Sequence, residues 1–285
     1  MIDGGQIAGK ASVGRYLMLT YHMNIINILC VVSLRRSRSL KTETEYSAER
    51  LDALNREQEG RHAEEIIEWT YQAFGFEVAF ASSFGAEDMI ILDMIAKVAP
   101  RFRVFTLDTG RLHDETYEIM EEARSRYQLD IQTVFPQRDA VEDLVRGKGF
   151  YSFRESIENR KECCGIRKVE PLRRVLKDLR AWATGLRREQ AVTRGDTPVL
   201  EIDSANGGLI KVNPLVTWSE AQVWEYIKAN DVPYNALHDR GFPSIGCAPC
   251  TRAIMPGEDI RAGRWWWELP EYKECGLHPA KVNPA

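Results

Sequence analysis

The chain reads as an α/β protein: a parallel, twisted sheet with helices on both faces, followed by an irregular C-terminal segment. Three features predict this. Short apolar runs alternate with amphipathic stretches of helical period between residues 47 and 230. Several of these runs end in loops rich in Ser, Gly or Asp. From Val232 onward Pro, Gly and Trp dominate and the regular period is lost. Strands that alternate with helices pair in parallel through right-handed crossovers.

The elements follow in order. Residues 48–74 have helical period and many charges, with Ile66, Ile67 and Trp69 toward the core. Residues 78–81 form a first strand that runs into the loop 82–88, and residues 89–98 a helix. A second strand at 102–107 ends in Asp108-Thr109-Gly110, and a helix follows at 114–127. Residues 131–135 read as a third strand, 140–146 as helix, and 168–179 as a strongly amphipathic helix. Residues 181–186 form a further strand, which ends at Gly185-Leu186-Arg187-Arg188. Two short β segments, 199–202 and 209–212, flank a Gly-rich turn. Ser219 caps a helix that runs to Asn230.

In an open α/β sheet, ligands bind at the carboxyl ends of the strands. The loops 82–88, 108–113 and 185–188 share that edge. The Ser83-Phe84-Gly85 turn can offer backbone N–H groups at a helix N-terminus, a seat for phosphate or sulfate. A plain turn is the simpler reading of those three residues alone.

Composition narrows the class. The chain has 285 residues, 44% hydrophobic and 28% charged, enough for one sizeable core. Its net charge of −4 argues against a nucleic-acid partner, which demands an excess of Lys and Arg. A local basic pocket for a small anion remains compatible. The apolar run 16–34 is broken by Thr20, His22, Asn24 and Asn27, which makes a poor membrane span. Gly4 to Lys10 nearly spells a P-loop, but Ala11 replaces the Ser or Thr that would hold magnesium, and no strand precedes it.

The six cysteines fall into separate roles. Cys30 reads as an incidental thiol. Cys163 and Cys164 are adjacent, and Cys247 and Cys250 form a CxxC pair. Six are too few for a disulfide scaffold at this length, so a reduced, cytoplasmic setting is expected. Four thiolates can bind zinc or an iron–sulfur cluster. Neighbouring side chains converge poorly on one small ion, whereas a four-iron cluster offers separate iron atoms. This favours [4Fe–4S] over zinc. Cys275 stands apart, in Glu274-Cys275-Gly276-Leu277-His278.

The flanking residues carry a resemblance. Lys161-Glu162-Cys163-Cys164-Gly165-Ile166-Arg167-Lys168, Gly246-Cys247-Ala248-Pro249-Cys250-Thr251, Arg261-Ala262-Gly263-Arg264 with Trp265 to Trp267, and Lys273-Glu274-Cys275-Gly276-Leu277-His278 follow one another in this order. From about residue 60 to 279 the chain is similar to the assimilatory adenylyl-sulfate (APS) reductases, within the wider phosphoadenylyl-sulfate (PAPS) reductase group. That resemblance implies an adenine-nucleotide α-hydrolase-like fold and reduction of APS to sulfite and AMP, with thioredoxin as electron donor. It implies that Cys163, Cys164, Cys247 and Cys250 hold the cluster. Cys275 would be the nucleophile, carrying a thiosulfonate that thioredoxin resolves. It also implies phosphosulfate contacts from Lys168, Arg194, Arg261, Arg264 and His278. Ser82, Ser83, Phe84, Gly85, Leu107, Asp108, Thr109 and Gly185 would form the nucleotide pocket.

Chemistry is consistent with these roles. A thiol of pKa ~8.5 is only about 3% thiolate at pH 7, so nearby cations must raise that fraction or offset the substrate's charge. Lys273 and His278 are local cations, while Glu274 acts the other way. Each role has a plainer rival. Lys168 could be a solvated helix charge, Arg194 a loop charge, and Arg261 and Arg264 could stack on the Trp triplet. Two positions depart from relatives. Arg160 stands where some have His, and the turn reads Ser-Ser-Phe-Gly rather than Ser-Phe-Ser-Gly.

Three segments are expected. Residues 1–45 are a disordered or start-site extension, 46–240 the α/β nucleotide-binding reductase domain, and 241–285 a segment that closes the cluster and carries the nucleophile. Ten residues follow Cys275, so thioredoxin is expected to be a separate protein. Homo-oligomerisation is left open. Competing functions are PAPS or dual APS/PAPS reduction, an ATP pyrophosphatase-type thiolation enzyme, and a zinc-stapled binding module. The thiolation enzymes carry SGGxDS at the first loop, where this chain has Ser83-Phe84-Gly85-Ala86-Glu87-Asp88.

Overall fold

The computed structural model describes residues 46–191 and 194–269. The 1–45 extension, Cys30, Cys275 and His278 lie outside the described residues. Two helices, α1 (Ala48–Gln58) and α2 (Ala63–Phe74), lead into strand β1 (Val78–Ser82). Helix α3 (Ala86–Val98), β2 (Arg103–Leu107), α4 (Asp114–Tyr127), β3 (Ile131–Val134) and α5 (Arg138–Lys148) follow. Next come α6 (Ile157–Cys164), α7 (Glu170–Leu176), β4 (Ala181–Ala183), the hairpin of β5 (Leu200–Asp203) and β6 (Leu209–Val212), and α8 (Glu220–Ala229).

The six strands form one sheet in the order β3-β2-β1-β4-β6-β5. All pairings are parallel except β5 with β6, so the expected α/β sheet is present with an antiparallel edge. Strand alternation sorts the core into two faces. Ala79, Phe105, Val134 and Trp182 point to one face and pack against Leu172 and Leu176 of α7 and Leu179 after it. Phe80, Val104 and Ala183, one residue out of phase, are equally buried on the other. Helix α3 packs against α2, α4 and α8. It is apolar on most of its circumference because it is enclosed: Met89 to Leu92, Met94 and Ile95 are all 0% exposed. The polar residue within it is partnered, since Asp93 accepts from Tyr226 Oη at 2.8 Å and pairs with Lys97 at 2.6 Å.

Three elements differ from the sequence reading. The expected helix 48–74 is two helices, broken where Gly60 precedes His62, which is extended at φ −66° and ψ 149°. Glu65 accepts from the His62 N–H at 2.9 Å and so starts α2 afresh. The strand expected at 181–186 is only Ala181–Ala183, although the Thr184 N–H still donates to the Val212 carbonyl of β6. The helix expected from Lys168 begins earlier. Helix α6 runs through both cysteines and joins α7 by a π-turn, Gly165–Val169, closed by the Glu170 N–H to the Gly165 carbonyl. Ser219 does cap α8, accepting from the Gln222 N–H. Among the described residues no helix is long and apolar enough to cross a membrane.

Leu176 joins α7 to the sheet core and is 2% exposed. Leu176→Ala is expected to cost about 2–5 kcal/mol. Urea unfolding should show a lower midpoint at unchanged slope.

Candidate active site

A cavity of about 720 Å³ opens at the carboxyl ends of β1, β2 and β4. Its size is that of a pocket for a nucleotide-sized molecule. Its floor is sheet and α7, with Ala81, Phe105, Trp182 and Leu172, and its rim is loop. Ser82, Ser83 and Gly85 come from the loop after β1, Thr109 from the loop after β2, and Gly185 from the loop after β4. Lys168, Arg194, Arg261 and Arg264 add four cations from distant segments. These nine expected residues therefore share one cavity. Phe84 and Asp108 stand behind it. Phe84 is buried with φ 58°, and Asp108 Oδ1 accepts from the Gly110 N–H at 2.7 Å and Tyr117 Oη at 3.0 Å.

The turn after β1 spends its first donors internally. The Ser83 N–H donates to Asp88 Oδ2 at 2.5 Å, Ser83 Oγ donates to the same oxygen at 2.7 Å, and the Phe84 N–H donates to Ser82 Oγ at 3.2 Å. Gly185 must be Gly, because a Cβ there would run into the Asp88 carboxyl. Beside it, Glu87 Oε1 accepts from Arg187 Nε at 2.8 Å and Gln190 Nε2 at 2.9 Å. Gln190 Oε1 in turn accepts from Arg194 at 2.6 Å, which orients Arg194 at the rim. The sequence reading did not single out Glu87, Asp88, Arg187 or Gln190. The signal available was that Glu87-Asp88 and Arg187 directly follow the two Gly turns.

The second part of the site lies against the loop after β2. Cys163 is buried with Leu144 and Phe153, and Cys250, Ile166 and Trp267 pack on that group. Cys247 Sγ is 3.3 Å from Thr109 Oγ1, and the Ala248 N–H donates to the Arg111 carbonyl at 2.8 Å. All four cysteines are free thiols in this structure, close enough for their charges to interact. Burial pushes the Cys250 thiol up to about 12, and the charges of Cys247, Cys164 and Cys163 add to this while Lys168 opposes it. Burial acts on Cys247 the same way. There it is outweighed by Lys168, the Thr109 contact, Arg264 and Arg167, and the thiol lies below its usual range. Among the described residues no three His, Cys, Asp or Glu side chains stand together as chelators of a single metal ion.

The π-turn explains how cations reach both parts. Arg167 is buried and Nη1 donates to the Thr109 carbonyl at 2.7 Å, while Lys168 lines the cavity. Such turns admit one more residue than an α-turn and are common at functional sites. Of the Trp triplet, Trp265 and Trp267 pack and Trp266 is exposed. Trp265 is 2% exposed, with the Arg160 guanidinium 4.7 Å and the Arg264 guanidinium 4.8 Å from its ring centre. Arg264 thus both stacks on Trp265 and lines the cavity. Arg160 donates to Glu268 at 2.6 Å, an ion pair whose side chains are 1% and 5% exposed.

Asp88 gives the site a pH signature. Burial pushes its carboxyl up to about 7; the Ser83 hydrogen bonds oppose the rise and the Glu87 charge adds to it. An unfolded Asp titrates near ~3.9. Between that pH and about 7 the fold keeps a proton that the unfolded chain has lost, so stability falls as pH rises through this window. At 1.36 kcal/mol per unit the fall is of order 4 kcal/mol. Asp88→Asn should therefore gain on the parent protein between pH 4 and 8. Urea unfolding at pH 5 and pH 8 measures this, and a gap of constant size would refute it.

The chain is similar to known proteins. Residues 77–253 match the phosphoadenosine phosphosulfate reductase domain. An adenosine 5'-phosphosulfate reductase of Burkholderia cepacia is 49% identical over 89% of this chain and 96% of its own length. One from Allochromatium vinosum is 53% identical over 73% of this chain and 80% of its own. A crystal structure of phosphoadenylyl-sulfate reductase from Candida auris superposes with a TM-score of 0.64 at 31% identity, covering 73% of this chain and 98% of that one. A family match across more than half of the residues, with relatives about half identical over most of their length, shows that the chain belongs to the phosphoadenosine phosphosulfate reductase family.

Proposed function

We propose that this protein reduces adenosine 5'-phosphosulfate to sulfite and AMP in sulfate assimilation. The observation that carries the reading is the contiguity of its two sites. A nucleotide-sized cavity rimmed by Lys168, Arg194, Arg261 and Arg264 lies beside a pocket of four thiols, and Lys168 acts on both. The relatives named for adenosine 5'-phosphosulfate, at 49% and 53% identity, favour that substrate over the phosphoadenylyl-sulfate of the 31% identical structure.

Cys275 is the nucleophile of the proposed reaction. Its thiolate attacks the sulfur of the sulfate group. The bond from that sulfur to the bridging oxygen breaks, and AMP leaves with the electron pair. Cys275 then carries a sulfo group. A thioredoxin thiolate attacks Cys275 Sγ, the bond from Sγ to the sulfo sulfur breaks and sulfite leaves with its electron pair; the second thioredoxin thiol then resolves the mixed disulfide and returns the Cys275 thiolate, so the dithiol supplies both electrons. Arg261, Arg264, Lys168 and His278 stabilise negative charge on the AMP phosphate as it leaves. The Gly185 and Ser83 corner accepts the nucleoside over the floor of the cavity.

Cys163, Cys164, Cys247 and Cys250 would hold a [4Fe–4S] cluster. The donor set suits it: four thiols from two segments in one pocket, with the charges of Arg167, Arg111 and Lys168 acting on them. When bound, the cluster would join the two cysteine segments and act electrostatically on the substrate pocket through Lys168. No electron needs to pass through it. Thioredoxin is the proposed reductant, and a cytoplasmic setting suits the need for reduced thiols.

Anaerobically purified protein should release sulfite from the adenylyl substrate with reduced thioredoxin, and much more slowly from the phosphoadenylyl one. Equal rates would widen the substrate, and no release from either would sink the reading. Cys275→Ser should lower sulfite release by at least about 10³-fold, as expected when the nucleophile itself is lost. Its affinity for AMP, followed by calorimetry, should hold. Cys250→Ser should bleach the broad visible absorbance of the purified protein.

A further inference from the structure

The segment 264–268 is held in a way that packing alone does not require. Trp265, a bulky residue, has φ 40°, in the left-handed region that favours glycine. Four contacts keep it there. Its N–H donates to the Cys250 carbonyl at 3.0 Å, Thr251 bridges to Arg264, and guanidiniums of Arg160 and Arg264 lie 4.7 and 4.8 Å from its ring centre. One turn on, Glu268 receives the buried hydrogen bond from Arg160. Arg160 sits on α6, three residues before Cys163. On the other side, Arg264 donates to Ser244 Oγ at 3.3 Å and the Ile245 carbonyl at 3.1 Å, and lies so close to Gly246 that a Cβ there would collide with it. Arg264 is also a wall of the nucleotide cavity.

We propose that Arg160 and Glu268 are positioning residues: through the strained Trp265 they fix the Arg264 guanidinium where it meets the substrate's anionic end. The pair makes no contact with the cavity itself, as neither residue is among its walls. Its two charges are taken almost wholly out of water, which is costly unless geometry repays it. What the pair secures is the backbone between residues 264 and 268, so that Trp265 keeps its conformation and Arg264 one place. Without the pair, Trp265 can relax to a negative φ, and relaxation swings the neighbouring Arg264 backbone. This inference rests on the nucleotide reading of the cavity.

The test is a double-mutant cycle on AMP binding, with the intact protein and AMP as the probe. Arg160→Gln and Glu268→Gln should each weaken AMP binding about tenfold, within the coupling expected of residues in one network. KM for the adenylyl substrate should rise in step, with the visible spectrum kept. In an Arg264→Gln background, Arg160→Gln should have less than about a twofold further effect. A merely structural pair would weaken binding equally in both backgrounds, and that result overturns the proposal. So does wild-type affinity in Arg160→Gln. Should Arg160→Gln fail to fold, the near-isosteric Glu268→Gln carries the same cycle against Arg264→Gln, with the same outcomes. If the unmodified protein does not bind AMP, the nucleotide reading falls and this inference with it.

Discussion

The short loop after β2 is the joint on which the site depends. Thr109 uses both its hydroxyl and its carbonyl there. Its hydroxyl meets Cys247 Sγ and the Arg111 N–H, and its carbonyl accepts from Arg167. One residue at a strand end thus fixes the Cys247 loop, its own turn and the π-turn that follows Cys164. These segments are 58 to 138 positions distant in sequence. Because the sheet sets Thr109, the thiol pocket inherits its place from the parallel strands rather than from the irregular region that supplies half of it.

Charge is the second constraint. Burial and neighbouring thiol charges push Cys163 and Cys250 up, yet Cys247 is biased the other way by Lys168, Thr109, Arg264 and Arg167. These cations are not spread over the surface of an acidic protein. They are drawn from the π-turn and from the 264 segment toward one side of the pocket, where Lys168 and Arg264 also border the cavity. Net charge therefore says little about what this protein binds. The cavity wall near Glu87 is anionic but neutralised by Arg187.

The parts of the site legible in the sequence were those written as contiguous motifs. The strand-end loops, the two cysteine pairs and the Arg261 to Arg264 stretch stand out by residue type; the cavity gathers residues from the loops and the Arg stretch, and Cys163 and Cys250 pack together apart from its walls. What was not legible depends on side chains that meet only in the fold. Asp88 reads as an ordinary acidic residue in the first turn of a helix, but its partner is the loop that precedes it. Arg160 reads as a departure from relatives, but it answers Glu268, 108 positions later. The break between α1 and α2 was missed because both halves keep helical period, and the interruption shows only as a single Gly60 followed by an extended His62.

The π-turn at Gly165–Val169 has a wider consequence. It places one extra residue in a rod that is otherwise regular, so the residues before and after it are rotated out of step. Cys163 can then belong to the small cluster around Phe153 while Leu172 and Leu176 belong to the sheet core, although all three ride on one continuous helical run. A regular helix would have to trade one alignment for the other. Length between the cysteine pair and α7 is accordingly under tighter control than residue identity. Many side chains could be exchanged on the outer side of this run, but a single deletion would unseat either the thiols or the core.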